Sequence, residues 1–154
     1  MGLFKDLEVL RQKFCLLRGS CVKAVLMFGS RARGESAGRS DLDLLVLYED
    51  CGVEDAVLRR RYFYNLLREL VGGYCEGLSV VDMEFKHFLK PKEITSLLLN
   101  IYWDAVVLYD STGFIEHFLE DVRSRILKAG LKRVKDGKAY YWILPEPLKK
   151  VEIL

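Results

Sequence analysis

Four short apolar segments with strand-forming character and four stretches of helical periodicity follow one another along the 154 residues. The predicted strands cover residues 22–28, 44–48, 78–85 and 105–109. The predicted helices cover residues 3–17, 53–71, a short segment starting at Pro91, and 114–126. Because strands and helices alternate after the first two strands, which follow each other directly, and no internal repeat occurs, the chain is predicted to fold as an α/β or α+β protein.

The C-terminal end departs from this alternation. Residues 131–134 and 139–143 flank Asp136-Gly137, a strong β-hairpin signal. With 51% hydrophobic and 30% charged residues the chain can build a core, which excludes a disordered or fibrous protein.

Charge is unevenly distributed. The net charge of +2 excludes a globally basic nucleic-acid coat. Residues 1–122 carry 15 Lys and Arg against 19 Asp and Glu, whereas residues 123–154 carry 9 against 3. The basic C-terminal segment is therefore predicted to dock an anionic acceptor. Its cations in the last helix and hairpin are Arg123, Arg125, Lys128, Lys132, Arg133, Lys135 and Lys138.

No membrane association is predicted, because the longest uncharged run, residues 94–103, is far shorter than the roughly 20 residues of a membrane-spanning helix. The N-terminus has no secretory signal pattern, and a cytoplasmic location is expected. Four cysteines are scattered without a C-x-x-C pair, so we expect them to be reduced and to bind no zinc. They are Cys15, Cys21, Cys51 and Cys75.

The segment after the first predicted strand carries the chemistry. Gly29-Ser30 is followed by ten residues and then by Asp41-Leu42-Asp43. Gly29 lets the backbone leave the strand sharply and approach a ligand closely, and Ser30 supplies a hydroxyl donor. These features predict a phosphate site at the end of the strand.

Asp41 and Asp43 are two residues apart on an extended segment, so both carboxylates leave the same face while Leu42 and Leu44 point into the core. Two carboxylates this close repel each other unless a cation lies between them. Mg²⁺ suits such oxygen ligands and completes its coordination with water and substrate phosphates.

A second metal would need a third carboxylate. Asp82 is the candidate, because it lies inside the otherwise apolar segment 78–85, where an unpartnered charge would be costly to bury. Glu84 shares its face and is the alternative. A solvated Asp82 on an edge strand is the simpler possibility.

Together with Arg31-Ala32-Arg33-Gly34 and Ser40, the Gly-Ser and Asp-x-Asp spacing resembles the minimal nucleotidyltransferases of the DNA polymerase β superfamily. The resemblance covers roughly residues 20–110. It implies an α+β fold: a small mixed β-sheet flanked by helices. A nucleotidyltransferase core domain is accordingly expected in residues 1–110, with a C-terminal helix and basic β-hairpin in residues 111–154 packed on the same domain.

The resemblance also implies the reaction: transfer of a nucleoside monophosphate, AMP from ATP or another nucleoside triphosphate, to an acceptor hydroxyl. Two Mg²⁺ ions would be bound by Asp41, Asp43 and Asp82, which are the predicted catalytic residues. The predicted nucleotide-binding residues are Gly29, Ser30, Arg33 and Ser40.

The acceptor stays open between a protein and an RNA. Minimal members of the family act as antitoxins that modify a HEPN-type toxin, which would then be the protein partner. The alternative is a non-catalytic nucleotide- or partner-binding module, although such a module would not need three carboxylates. A P-loop or kinase signature is absent. The preferred nucleotide and the oligomeric state are not predicted.

Two groups of residues allow two interpretations each. Arg31, Arg33 and Arg39 either neutralise a triphosphate or are solvated loop residues. The aromatic run Tyr140-Tyr141-Trp142 either stacks on a base or packs within the hairpin. The Arg59–Arg61 run is expected to be a solvated helix face.

Overall fold

The computed structural model describes residues 3–35, 41–145 and 150–154. The helices are α1 (Leu3–Phe14), α2 (Gly29–Ala32), α3 (Ala56–Val71), α4 (Phe85–Leu89), α5 (Ser96–Asp104) and α6 (Ile115–Lys128). The strands are β1 (Val22–Phe28), β2 (Leu42–Tyr48), β3 (Leu78–Glu84), β4 (Val106–Asp110), β5 (Lys132–Asp136) and β6 (Ala139–Ile143).

The first four strands form one mixed sheet in the order β3-β2-β1-β4. Strand β1 is antiparallel to both β2 and β4, whereas β2 and β3 are parallel. Strands β5 and β6 pair with each other in a separate two-stranded sheet. This arrangement confirms the predicted α+β class with a small mixed sheet flanked by helices.

Helices cover both faces of the sheet. On one face, α1 and α3 contribute Phe14 and Phe63 to a core that includes Leu44 of β2. On the other face, α4, α5 and α6 form a second core around residues such as Leu45 and Tyr102. Because β2 is buried on both faces, its sequence is almost continuously apolar, and Asp43 is its only charged residue.

Two helices begin later than predicted, because their first turns are capped by polar side chains. The Asp55 carboxylate accepts a hydrogen bond from the Leu58 amide at 2.9 Å, and α3 starts at the next residue, Ala56. The Thr95 hydroxyl accepts one from Leu98 at 3.1 Å. The prediction that Pro91 begins a helix is therefore wrong: α5 begins at Ser96.

The short helix α4 was not predicted. Residue Phe85 begins this helix instead of ending the strand, so β3 stops at Glu84. In the hairpin, Asp136 pairs with Ala139, so Gly137 and Lys138 form the two-residue turn. Gly137 has φ +62°, a conformation that suits glycine at the first turn position.

Cys21 and Cys51 form a disulfide, so the expectation that all cysteines are reduced is wrong. Cys21 precedes β1 and Cys51 follows β2, and the antiparallel pairing of these strands brings their Cα atoms within 5.1 Å. A separation of 30 residues hides this proximity in the sequence. Cys15 and Cys75 are free, the first exposed and the second buried.

Within the described ranges, no helix combines the length and the apolar character needed to cross a membrane.

Candidate active site

The acidic pair lies where β2 begins. Asp43 pairs with Phe28, the last residue of β1, so the carboxylates lie beside the turn into α2. Leu42 and Leu44 are fully buried on the opposite side of the strand. Asp41 and Asp43 therefore share one face of the sheet, and the structure brings them together with the Gly29-Ser30 turn.

Two glycines make room for these carboxylates. Gly29 has φ +76°, and a Cβ atom built on it would collide with Oδ2 of Asp43. A Cβ on Gly77 would collide with Oδ1 of Asp41. Gly77 also accepts a backbone hydrogen bond from the Leu42 amide at 3.0 Å. Sequence reasoning identified Gly29 but missed Gly77, because its neighbour in space is 36 residues away.

The charge environment of the pair favours a cation. Burial raises the pKa of the Asp43 carboxyl, and the negative charge of Asp41 raises it further. The positive charges of Arg33 and Arg31 act in the opposite direction on the Asp43 pKa. A cation bound between the two carboxylates would relieve the repulsion between them.

The structure does not bring Asp82 together with the pair. In the parallel register of β2 and β3, Asp43 lies beside Ser79, whereas Asp82 lies beside Val46. Val46 belongs to the core on the α1 and α3 face, which is the face opposite to Asp43. Glu84 shares that opposite face with Asp82, so neither candidate fits as a metal ligand of the pair.

Asp82 instead forms ion pairs with helix α3. Its side chain is 2% exposed and accepts hydrogen bonds from Nε of Arg59 at 2.8 Å and Nε of Arg60 at 3.2 Å. Arg59 also lies over the ring of Tyr48, at 4.8 Å from its centroid. The expectation that residues 59–61 are a solvated helix face is therefore wrong for Arg59, whereas Arg60 and Arg61 are exposed. The charge of Asp82 is satisfied without a metal.

Among the described residues, Asp41 and Asp43 are the acidic side chains that the structure brings together at this site. In residues 3–35, 41–145 and 150–154 no group of three or more His, Cys, Asp or Glu side chains is placed to bind a metal. Asp41 and Asp43 fit one divalent cation, and the predicted third ligand for a second cation is missing from their face. Ser79 occupies the position beside Asp43 on the neighbouring strand.

Arg33 lies in the connection between α2 and β2, which we call the signature loop, and its side chain extends toward the C-terminal part of the chain. Its Nε donates to Oε2 of Glu35 at 3.1 Å, and its Nη1 donates to Oδ2 of Asp104 at 3.2 Å. Its guanidinium lies over the ring of Tyr140, at 4.5 Å from the centroid. The predicted site residue Ser40, and Arg39 beside it, lie outside the described residues.

The hairpin β5–β6 packs against α5 and this loop. Arg133 donates to Oδ2 of Asp104 at 2.7 Å, and its guanidinium lies 4.3 Å from the centroid of Tyr140 on β6. The indole N–H of Trp142 donates to Oδ1 of Asn100 at 2.9 Å. These contacts favour the packing interpretation for Tyr140 and Trp142. The sequence alone showed three consecutive aromatic residues and left both interpretations open.

The chain belongs to the nucleotidyltransferase domain family, whose model matches residues 7–133. This match confirms the family that the Gly-Ser and Asp-x-Asp spacing indicated, and with it the class of enzyme. The protein is a nucleotidyltransferase.

The individual proteins that resemble this chain share less than a third of its residues. A candidate protein adenylyltransferase of Methanocaldococcus jannaschii is 28% identical over 129 residues, which cover 84% of this chain and 80% of the relative. The crystal structure of a candidate nucleotidyltransferase from Sulfolobus solfataricus is 17% identical and has a TM-score of 0.47, covering 72% of this chain and 86% of that one. The crystal structure of a toxin–antitoxin with AMP-PNP contains a chain that is 20% identical to this one, with a TM-score of 0.46. The match covers 83% of this chain and 89% of that one.

Proposed function

We propose that this chain transfers AMP from ATP to a hydroxyl group of a protein, using one divalent cation bound by Asp41 and Asp43. The observation that carries the proposal is the pair of carboxylates on one face, each in contact range of a glycine that leaves no room for a side chain. Such a pair is costly in an empty site and favourable around a cation. Mg²⁺ is the ion that the oxygen ligands favour.

In the proposed reaction the acceptor oxygen forms a bond to the α-phosphorus of ATP. The bond from that phosphorus to the bridging oxygen breaks, pyrophosphate leaves and the hydroxyl proton passes to solvent. A bound cation would neutralise charge on the transferred phosphoryl group. We assign the polyphosphate to the Gly29-Ser30 turn and to Arg33.

A protein acceptor is favoured over an RNA acceptor by two observations. The relative from M. jannaschii is named as an adenylyltransferase of proteins. In addition, two cations of the basic C-terminal segment are engaged inside the molecule: Arg123 donates to the carbonyl oxygens of Tyr102 and Ala105, and Arg133 pairs with Asp104. They are less available to an RNA backbone than the sequence alone indicated.

A HEPN-type toxin as the acceptor, and a role of this chain as its antitoxin, belong to the same proposal, as does a cytoplasmic location. The support for this partner is the family resemblance of the signature. A non-catalytic binding module is the alternative. It predicts binding of ATP without any labelled product.

Labelling with ATP carrying ³²P at the α-position tests the proposal. The purified chain, Mg²⁺ and cell extract are expected to yield a labelled protein band that resists RNase and is lost upon protease treatment. Asp41→Asn and Asp43→Asn should abolish labelling, while Glu84→Gln, which changes an exposed carboxylate on the other face, should not. Label in an RNase-sensitive product would contradict the protein acceptor. Magnesium-dependent ATP binding without any product would favour the binding module.

A further inference from the structure

The two faces of the β5–β6 hairpin have different surroundings. Cross-strand pairing places Arg133 beside Trp142 and Lys135 beside Tyr140, so these four side chains share the inner face. The alternate residue Tyr141 lies on the outer face and is 46% exposed. The inner face contacts α5 and the loop that follows α2, which is the loop of the nucleotidyltransferase signature.

Arg33 is the residue in which these contacts converge. Its side chain is bound by the Glu35 and Asp104 carboxylates and stacked on the Tyr140 ring. The Tyr140 hydroxyl in turn donates to Oε1 of Glu35, so the aromatic residue contacts both the arginine and its carboxylate partner. Arg133 also lies over the Tyr140 ring and shares the Asp104 carboxylate.

This clamp fixes the direction of the guanidinium. Glu35 accepts a hydrogen bond from Nε of Arg33, and Asp104 accepts one from Nη1. A guanidinium carries five N–H donors in a rigid plane, so an arginine fixed by these two contacts is suited to donate to a phosphate oxygen as well. The Arg33 amide donates to the Gly29 carbonyl oxygen at 3.2 Å, and Gly29 lies against the Asp43 carboxylate, so the Arg33 backbone is anchored beside the acidic pair.

We propose that Asp104 and Tyr140 are positioning residues for Arg33, and that the hairpin is thereby part of the nucleotide site. The inference rests on the proposed function, because it assigns the aligned guanidinium to the polyphosphate of ATP. An unclamped arginine would lose side-chain conformational entropy on binding, and the clamp removes that cost in advance.

The contacts also argue against the expected division of labour, in which the basic tail serves an acceptor apart from the nucleotide. Arg133 forms a largely buried ion pair with Asp104, and Lys135 pairs with Glu35 at 3.8 Å. The same two carboxylates bind Arg33. The hairpin and the signature loop therefore share one network of ion pairs.

A double-mutant cycle on the full chain tests the inference. The dissociation constant of MgATP would be measured by calorimetry for Tyr140→Leu, Asp104→Asn and Arg33→Ala, and for the two pairs that combine a positioning variant with Arg33→Ala. Each positioning variant should weaken MgATP binding about tenfold, the scale of one hydrogen bond to a charged group. Once Arg33 is absent, neither should weaken it further. Tyr141→Leu, the matched outer-face control, should bind as the unmodified chain does.

The NMR signal of the Arg33 Nε–H gives a readout that needs no nucleotide. In the unmodified chain this group donates to Glu35, and Asp104 holds the neighbouring Nη1, so its signal should differ from that of a solvated arginine and exchange slowly with water. Tyr140→Leu and Asp104→Asn should move the signal towards that of a solvated arginine, and Tyr141→Leu should leave it unchanged. Additive losses in the cycle, tighter MgATP binding by the variants, or an Arg33 signal unchanged in both positioning variants would each overturn the inference. If the unmodified chain fails to bind MgATP, the proposed function fails, and the Arg33 signal alone decides whether the hairpin positions that side chain.

Discussion

At the scale of single residues, the acidic pair depends on two neighbours that have no side chain. Gly77 is the more informative of the two, because its φ is not positive, whereas Gly29 is also constrained by its backbone. For Gly77→Ala we expect an about tenfold loss of Mn²⁺ and MgATP affinity, since the new methyl group displaces the Asp41 carboxylate. The loss in stability should stay near 1 kcal/mol or below.

Gly73→Ala is the matched control, because a Cβ at Gly73 meets no atom within 4 Å and its φ is likewise not positive. Calorimetry and urea denaturation of both variants separate the two effects. Unchanged metal affinity in Gly77→Ala would show that the Asp41 carboxylate does not bind the cation from the position it has in the structure.

The raised pKa of Asp43 makes stability depend on pH in a defined direction. Below the ordinary carboxyl pKa, near 3.9, Asp43 is protonated in both the folded and the unfolded chain and has no effect. As the pH rises from there through the raised pKa, the folded chain binds more protons than the unfolded chain, so this residue makes the free energy of unfolding fall.

Asp43→Asn removes this pH-dependent effect on the free energy of unfolding. In metal-free buffer the variant is expected to be as stable as the unmodified chain at pH 3 and more stable at pH 7, as measured by urea denaturation at several pH values. Lower stability of the variant at pH 7 would mean that the Asp43 carboxylate is a structural group. Added Mg²⁺ should stabilise only the unmodified chain.

Ser79 marks the place where a third carboxylate would complete the site. In Ser79→Asp the new side chain lies beside Asp43 on the same face, so we expect binding of a second Mn²⁺ in a calorimetric titration. Ser79→Asn, which has the same shape without the charge, should bind as the unmodified chain does. An unchanged stoichiometry in Ser79→Asp would place this position out of reach of the cation.

The sequence predicted Asp41 and Asp43 because their spacing and the Gly29-Ser30 turn belong to one continuous segment. It misplaced the third carboxylate because the face of a residue on β3 depends on the register between two strands far apart in the sequence. A shift of one residue in that register moves every side chain to the other face. Periodicity within residues 78–85 does not fix the register, and the partners of Asp82 are likewise remote in sequence.

At the scale of elements, strand β3 and helix α3 are joined by the Asp82 ion pairs. Asp82→Asn leaves Arg59 with a neutral partner in a largely buried position, so the free energy of unfolding should fall by about 2–4 kcal/mol. Cation and MgATP binding should not change. Urea denaturation and calorimetry give the two values, and Glu84→Gln, two residues along the same strand, is the control. Lost metal affinity with unchanged stability would restore Asp82 as a ligand.

Element prediction succeeded where the pattern was clear. The helices α3 and α6 were predicted because their apolar positions repeat with a helical period and end at or near glycine. The strand β1 was predicted because it is an apolar run rich in strand-forming residues that ends at Gly29. The short helix α4, which precedes Pro91, was not predicted because its five residues are too few to show a helical period. The hairpin was predicted from Asp136-Gly137, but its contacts with α5 were not, since they join residues some 30 to 40 positions apart.

At the scale of the whole molecule, the sheet has two ends with separate roles. The acidic pair lies where β1 ends and β2 begins, and the disulfide of Cys21 and Cys51 lies where β1 begins and β2 ends. A seven-residue strand separates them by roughly 20 Å. Because of this distance, we expect stability and ligand binding to respond separately to the disulfide.

The double variant Cys21→Ser, Cys51→Ser tests this separation. The disulfide closes a loop of about 30 residues, for which the chain-entropy relation gives about 3–4 kcal/mol of stabilisation. We expect the free energy of unfolding to fall by about this amount, measured by urea denaturation under oxidising conditions, while the MgATP dissociation constant stays within about twofold. Cys15→Ser, which changes an exposed free cysteine, should alter neither. A reductant should reproduce the loss in the unmodified chain and have no effect on the double variant. A large loss of MgATP affinity in a folded double variant would show that the two ends of the sheet are coupled.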